Sequence, residues 1–153
     1  MNRKWLVFPW SAGALLAFGL VAGPGLYGAD DETPLGKIME KVNKHNSTIT
    51  KGTRTKVAYA KDRKNVEKSA KELSKLAKEA KPIKDAIQKA KGVSDPQKQW
   101  DVYMDEFIKS AEKLGEVSGK AGTTFEDAKS AFTVVKKACA DCHKDFRVEE
   151  GSF

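Results

Sequence analysis

The sequence predicts an all-α protein, an antiparallel four-helix bundle. Apolar residues recur about every 3.6 residues in four separate stretches, which is the period of an amphipathic helix. No segment alternates in the β pattern, and the chain contains no Asn-Gly or Asp-Gly pair of the kind that forms hairpin turns. The connections between the stretches are short, so successive helices should lie side by side in opposite directions.

The first helix is predicted to start near Pro34, with Thr33 as its N-cap, and to end by Gly52. The second is predicted from about Arg54 to Ala80, since Pro82 cannot continue it. The apolar face of the first helix consists of Leu35, Ile38, Met39, Val42, Asn46 and Ile49, and that of the second of Val57, Ala60, Val66, Ala70, Leu73, Leu76, Ala77 and Ala80.

A short amphipathic piece, residues 82–91, leads to the third helix, for which Asp95 can cap and Pro96 can occupy the first turn. The Gly-rich stretch 115–122 is predicted to end it. The fourth helix begins at Thr124, and Asp127 suits its N-terminal dipole. The inner faces are Trp100, Tyr103, Met104, Phe107, Ala111, Leu114 and Val117 for the third helix, and Phe125, Ala128, Phe132, Val135, Ala138, Cys139 and Cys142 for the fourth.

Residues 1–29 have the layout of a secretory signal peptide. Arg3 and Lys4 form a positive start, an apolar stretch follows, and Gly28 and Ala29 supply small residues for cleavage. The apolar stretch is also just long enough for an uncleaved membrane anchor, but its Gly/Pro-rich end favours cleavage. We therefore expect an exported protein whose single domain is residues 30–153, with no membrane partner after cleavage.

The whole chain has 28 basic and 21 acidic residues and a net charge of +7. Loss of Arg3 and Lys4 with the leader leaves a net charge of +5, which suits an acidic partner. Lysines alternate with acidic residues along the predicted helices, which indicates a solvated helix face rather than a nucleic-acid surface. Because no aromatic residues are spaced along that face to stack on bases, we expect no nucleic-acid partner.

One motif carries chemistry, the C-x-x-C-H segment from Cys139 to His143. This spacing is typical of c-type haem attachment. Thiols three residues apart on a helix lie close to one face, so Cys139 and Cys142 can each form a thioether with a haem vinyl group. The imidazole of His143 is then available as an axial ligand of the iron. The motif predicts one haem c per chain.

Three alternatives compete for the two cysteines. A thioredoxin-type redox pair expects a βαβ context rather than the end of a helical chain. Half of a zinc site needs further ligands, and His45 is the only other Cys or His in the sequence. A structural disulfide between Cys139 and Cys142 would make the chain a haem-free helical interaction protein. The leader favours haem, because haem attachment occurs on the exported side of the membrane.

The run CADCHKDFR, in the last helix of a four-helix chain, resembles the class II c-type cytochromes. That family includes cytochrome c prime and its methionine-ligated, low-spin relatives, whereas class I cytochromes carry the motif near the N-terminus. The match extends to Phe146 and Arg147, and MEKVNKHNSTITKG looks like the family's first helix. The resemblance implies a periplasmic monohaem protein. Family members often dimerise through the first two helices, and the small residues Ala60, Ala70 and Ala77 suit either a dimer or a monomer core.

The sixth coordination position has two candidates, Met39 and His45. They are six residues apart and flank opposite edges of the apolar stripe, so both should not reach one haem. The residues alone also allow Met39 to be ordinary core and His45 to be a boundary histidine. The resemblance places Met39 where methionine-ligated members carry their ligand, so we expect it to coordinate. The family's usual upstream basic residue is not clear in residues 35–38, which leaves the propionate contacts open.

Phe132 and Val135 precede the motif by one to two turns and are expected to pack near the haem. Arg147 follows His143 by one turn, and either contacts the haem edge or a propionate or satisfies the last helix carbonyls. Nothing in the sequence suggests an enzyme. We expect a periplasmic one-electron carrier with a redox partner protein; the alternatives are a gas-binding protein of the cytochrome c prime type, for nitric oxide or carbon monoxide, and the haem-free protein.

Overall fold

A computed structural model of the chain describes residues 33–90 and 92–147. These residues form four α-helices, with one 3-10 helix between the second and the third, and contain no β-strand. The predicted signal peptide, residues 1–29, lies outside the described residues. The elements are α1 (Pro34–Gly52), α2 (Lys56–Ala80), the 3-10 helix (Ile87–Lys89), α3 (Pro96–Gly119) and α4 (Phe125–Phe146).

Side-chain caps define where the helices begin. The Thr33 hydroxyl and the Asp95 carboxylate each accept a hydrogen bond from a backbone N–H three residues later, at 2.9 and 3.1 Å. Thr124 and Asp127 cap α4 reciprocally, each side chain accepting from the other's backbone N–H. Every cap satisfies an N–H group that the first helical turn leaves unpaired. The predicted starts of the first, third and fourth helices are confirmed.

Consecutive helices pack against one another, α1 on α2, α2 on α3 and α3 on α4, so the predicted four-helix bundle is confirmed. A main core runs through the middle of the bundle, and a second group, here called the end cluster, lies where α1 and α3 begin and α2 and α4 end. No helix of residues 33–90 or 92–147 combines the length and the apolar character needed to cross a membrane. The end cluster consists of Ala80, Ala86, Trp100, Met104, Cys142 and Phe146.

The first turns of α2 differ from the prediction. The helix begins at Lys56, and Val57 is 81% exposed while Ala60 is exposed as well, so their assignment to the apolar stripe is wrong. Tyr59 is buried instead, its ring tilted against that of Phe125 at a centroid distance of 6.4 Å. The large aromatic side chain decides which side of α2 faces the start of α4, because it offers more apolar area than a valine or an alanine.

The third helix ends at Gly119, within the Gly-rich stretch 115–122 that was predicted to end it. At Gly115 a Cβ atom would lie 3.3 Å from the Lys71 side chain, so this glycine allows a close approach of α2 and α3. Ala70, which the sequence offered as a dimer contact, is fully buried at this crossing, and Ala77 is fully buried in the same core. The two small residues thus pack inside the monomer.

A similar close approach joins the end of α1 to α2. A Cβ atom on Gly52 would lie 2.6 Å from Cγ2 of Val66, which is itself fully buried and branched close to the backbone. We predict that Gly52→Ala lowers the free energy of unfolding by about 1–3 kcal/mol, because the extra methyl group overpacks this contact. Denaturant unfolding measures the effect. In a Val66→Ala background the same substitution should cost far less, and an equal cost in both backgrounds would contradict the contact.

A hydrogen bond ties α3 to α4 near the end of the bundle. The Tyr103 hydroxyl donates to Oδ2 of Asp145 at 2.7 Å. This bond, followed by burial, raises the pKa of Tyr103 from its ordinary 10.0 to about 12. The folded chain therefore holds the phenolic proton more tightly than the unfolded chain does. The bond's contribution is fully present below pH 10.0 and is lost as the pH rises towards 12.

We predict that Tyr103→Phe lowers stability by about 1 kcal/mol at neutral pH, and that this difference from wild type shrinks between pH 10.0 and 12. Unfolding in denaturant across that range measures it. Tyr59→Phe is the matched control, because the buried Tyr59 hydroxyl has no hydrogen-bond partner in the described structure. A pH-independent difference for Tyr103→Phe would show that the bond to Asp145 does not contribute as argued.

Candidate haem-attachment site

One face of α4 carries the predicted site residues into the bundle. Phe132, Val135, Ala138, Cys142 and Phe146 are buried and recur at intervals of three or four residues, so they form one continuous seam. Cys139 is half-buried and packs against the main core, whereas Cys142 belongs to the end cluster. Both cysteines are free and lie on the inner side of the last turns of the helix.

Aromatic residues of α3 fix the last turn of α4 in place. The Phe146 ring meets Trp100 edge to face at a centroid distance of 5.3 Å, and Tyr103 edge to face at 6.1 Å. The Trp100 Nε1–H donates to the carbonyl of Lys81, just after α2, at 2.9 Å. These contacts join three helices around the C-terminal end of α4. The sequence assigned Trp100 and Tyr103 to an inner helix face, but periodicity alone did not connect them with the motif.

Burial makes both cysteines weak acids in this chain. It raises the pKa of Cys139, and it raises that of Cys142 to about 12, with smaller contributions from Cys139 and Asp145. A thioredoxin-type pair needs the opposite, a thiol whose pKa is lowered so that it reacts as a thiolate at neutral pH. The environment of the thiols therefore does not support a dithiol redox centre.

His143 follows Cys142 directly and is turned by about 100° from the buried seam, so part of its surface is exposed. Partial desolvation by the surrounding protein lowers the pKa of His143, and the positive charge of Arg147 lowers it further. Arg147 itself ends α4, and its backbone N–H donates to the carbonyl of His143 at 3.1 Å. Both effects favour the neutral imidazole, the form that binds a metal ion.

The two candidates on α1 lie on different sides. Met39 is half-buried and packs against both the main core and the end cluster, the two groups that contain or contact the cysteines. The pKa of Glu72 on α2 is lowered by a hydrogen bond from Lys75 and, more weakly, by the charge of His45. His45 therefore lies beside α2, and only Met39 shares its packing with Cys139 and Cys142.

The residues at this end of the bundle fit a covalently held haem. Two free thiols at the attachment spacing and a neutral imidazole supply the right donor chemistry, and apolar side chains surround them. The helices that carry Met39 and the cysteines, α1 and α4, pack less closely than the three consecutive helix pairs. The described residues hold no group of three or more His, Cys, Asp and Glu side chains of the kind that the zinc alternative requires.

The family model for cytochrome c' matches residues 36–147, which include nearly all of α1 and the whole of the other three helices. Neither the curated proteins nor the solved structures contain a significant match. The match sets aside the haem-free alternative, since members of this family bind haem covalently. The chain belongs to the cytochrome c' family and is a haem-binding c-type cytochrome.

Proposed function

We propose that the protein is an exported one-electron carrier in which Cys139 and Cys142 hold the haem through thioether bonds. In this proposal His143 and Met39 are the two axial ligands of the iron. The observation that carries the proposal is the position of Met39, which packs against both residue groups that include or contact the cysteines. Two strong protein ligands make an iron six-coordinate, the arrangement suited to electron transfer rather than to binding gases.

The haem, when bound, supplies the one-electron chemistry, and the chain holds and shields it. His143 is available as a neutral ligand because desolvation and the charge of Arg147 disfavour its protonated form. Phe132 and Val135, 3% and 1% exposed, lie in the main core beside the attachment turns and exclude water there. Arg147 donates its backbone N–H to the carbonyl of His143, as many residues at that position would, and its positive charge disfavours the protonated form of His143.

The proposal includes a periplasmic location and an acidic redox partner. The leader pattern of residues 1–29 directs the protein to the periplasm, and the domain that remains is basic. A positive net charge favours encounter with an acidic redox protein by electrostatic steering. In this proposal the two thiols and the imidazole of the site are all taken up in holding the haem, so the chain acts as a carrier rather than as an enzyme.

We predict a low-spin ferric spectrum for the wild-type protein and a high-spin spectrum for Met39→Ala, since the substitution removes the sixth ligand. The reduced variant should also take up carbon monoxide, which the wild type should bind poorly. Absorption spectra of the haem-loaded proteins measure both effects. Met39→Leu is the control for packing, because it keeps the volume and loses the sulfur.

His45→Ala is the matched ligand control and should leave the wild-type spectrum unchanged. A high-spin wild type that readily takes up nitric oxide would overturn the electron-carrier proposal in favour of a five-coordinate gas-binding protein. A spectrum that changes in His45→Ala and not in Met39→Ala would show that the ligand assignment is wrong.

A further inference from the structure

The outer face of α2 carries an unbroken row of lysines that the haem site does not use. Its members, hereafter the lysine row, are spaced alternately three and four residues apart and all are exposed. At about 100° per residue they fall within roughly one 100° sector of the helix, over a length of about 25 Å. The row consists of Lys61, Lys64, Lys68, Lys71, Lys75 and Lys78.

The charge along the row is uneven. Lys71, Lys75 and Lys78 form ion pairs of 2.6–2.7 Å with carboxylates at the edges of the row. Lys61, Lys64 and Lys68 have no carboxylate within ion-pair distance in the part of the chain that the structure describes. Over its whole length α2 has eight basic and four acidic residues, a net charge of +4 out of the chain's +7. The first half of the row therefore forms no ion pair, and the nearby carboxylates of Glu67 and Glu72 offset its positive charge only in part.

Contrary to the expectation of no membrane partner, we infer that the lysine row docks the protein on an anionic bilayer surface. Specific protein interfaces are enriched in aromatic residues and arginine and depleted in lysine. The outer face of α2 shows the reverse composition: it carries six lysines, the one arginine of α2, Arg63, is half-buried outside that sector, and its one aromatic residue, Tyr59, is buried. A straight line of flexible lysines matches a flat, diffuse layer of negative headgroups, to which each lysine adds favourable energy. Val57, 81% exposed, extends the row at the start of the helix.

The position of α2 makes this docking compatible with haem chemistry. The helix packs between α1 and α3, whereas the cysteines lie on α4, which packs on α3. The outer face of α2 therefore points away from the attachment site. A protein held by the lysine row keeps its haem side free for another partner. The inference does not depend on which residue is the sixth ligand.

Binding of the secreted, haem-loaded protein to vesicles tests the inference. Vesicles of equal parts phosphatidylglycerol and phosphatidylcholine should bind the wild type at low salt and release it as the salt concentration rises. Vesicles of phosphatidylcholine alone should not bind it. The triple variant Lys61→Gln/Lys64→Gln/Lys68→Gln should bind the anionic vesicles on the order of 100-fold more weakly, the attraction of three lysines at such a surface.

The matched control is Lys109→Gln/Lys113→Gln/Lys120→Gln, which removes the same charge from exposed positions on and just after α3. It should weaken vesicle binding by less than about threefold, because these lysines lie among acidic residues on another face. An unchanged Soret band and helical circular dichroism verify that both triple variants are folded.

Four outcomes would overturn the inference. Equal losses in the two triple variants would mean that net charge alone governs binding. Failure of the wild type to bind anionic vesicles would show that it has no affinity for such a surface. Equal binding of the wild type to neutral and anionic vesicles would show that apolar contacts hold it there. Retention on immobilised polyglutamate, with no binding to vesicles, would identify an acidic protein as the occupant of the row.

Discussion

The structure depends on one constraint on α4: both cysteines must lie on its inner side while the residue after the second must not. A spacing of three residues keeps Cys139 and Cys142 on neighbouring positions of the inner side, and the next residue, His143, is then turned by about 100°. The α4 seam meets this requirement by running from Phe132 to Phe146 along the bundle interior. The same packing that buries the thiols leaves the imidazole exposed.

Contacts with α2 and α3 fix the last turn of α4, whereas α1 and α4 pack less closely. Trp100 and Tyr103 hold the last turn of α4 against α3, and Trp100 also reaches the end of α2. The opposite side, between α1 and α4, is packed less closely, and this is the side to which Met39 belongs. The basic charge concentrates elsewhere, on α2.

Patterns within a few residues predicted the helix starts well. The sequence predicted poorly which side chains make contacts between helices. Thr124 was recognisable as a cap because its hydrogen bonds are made within three residues. Tyr59 was not predicted to be buried. Its burial depends on contact with the Phe125 ring of α4, and the periodicity of α2 carries no information about that contact. Gly115 belongs to the Gly-rich stretch that was predicted to end the third helix, but the sequence did not show that this glycine also allows a close contact with α2. The spacing alone left both Met39 and His45 as possible iron ligands. The packing of α1 distinguishes them, because Met39 contacts the two residue groups near the cysteines and His45 lies beside α2.

The central claim is that this chain holds its haem through Cys139 and Cys142, and tandem mass spectrometry of the secreted protein tests it most directly. The account predicts that the peptide containing residues 139–143 carries one haem, bound to both cysteines, and that no other peptide is modified. A peptide with free thiols or with a disulfide between the two cysteines, and no haem, would contradict it.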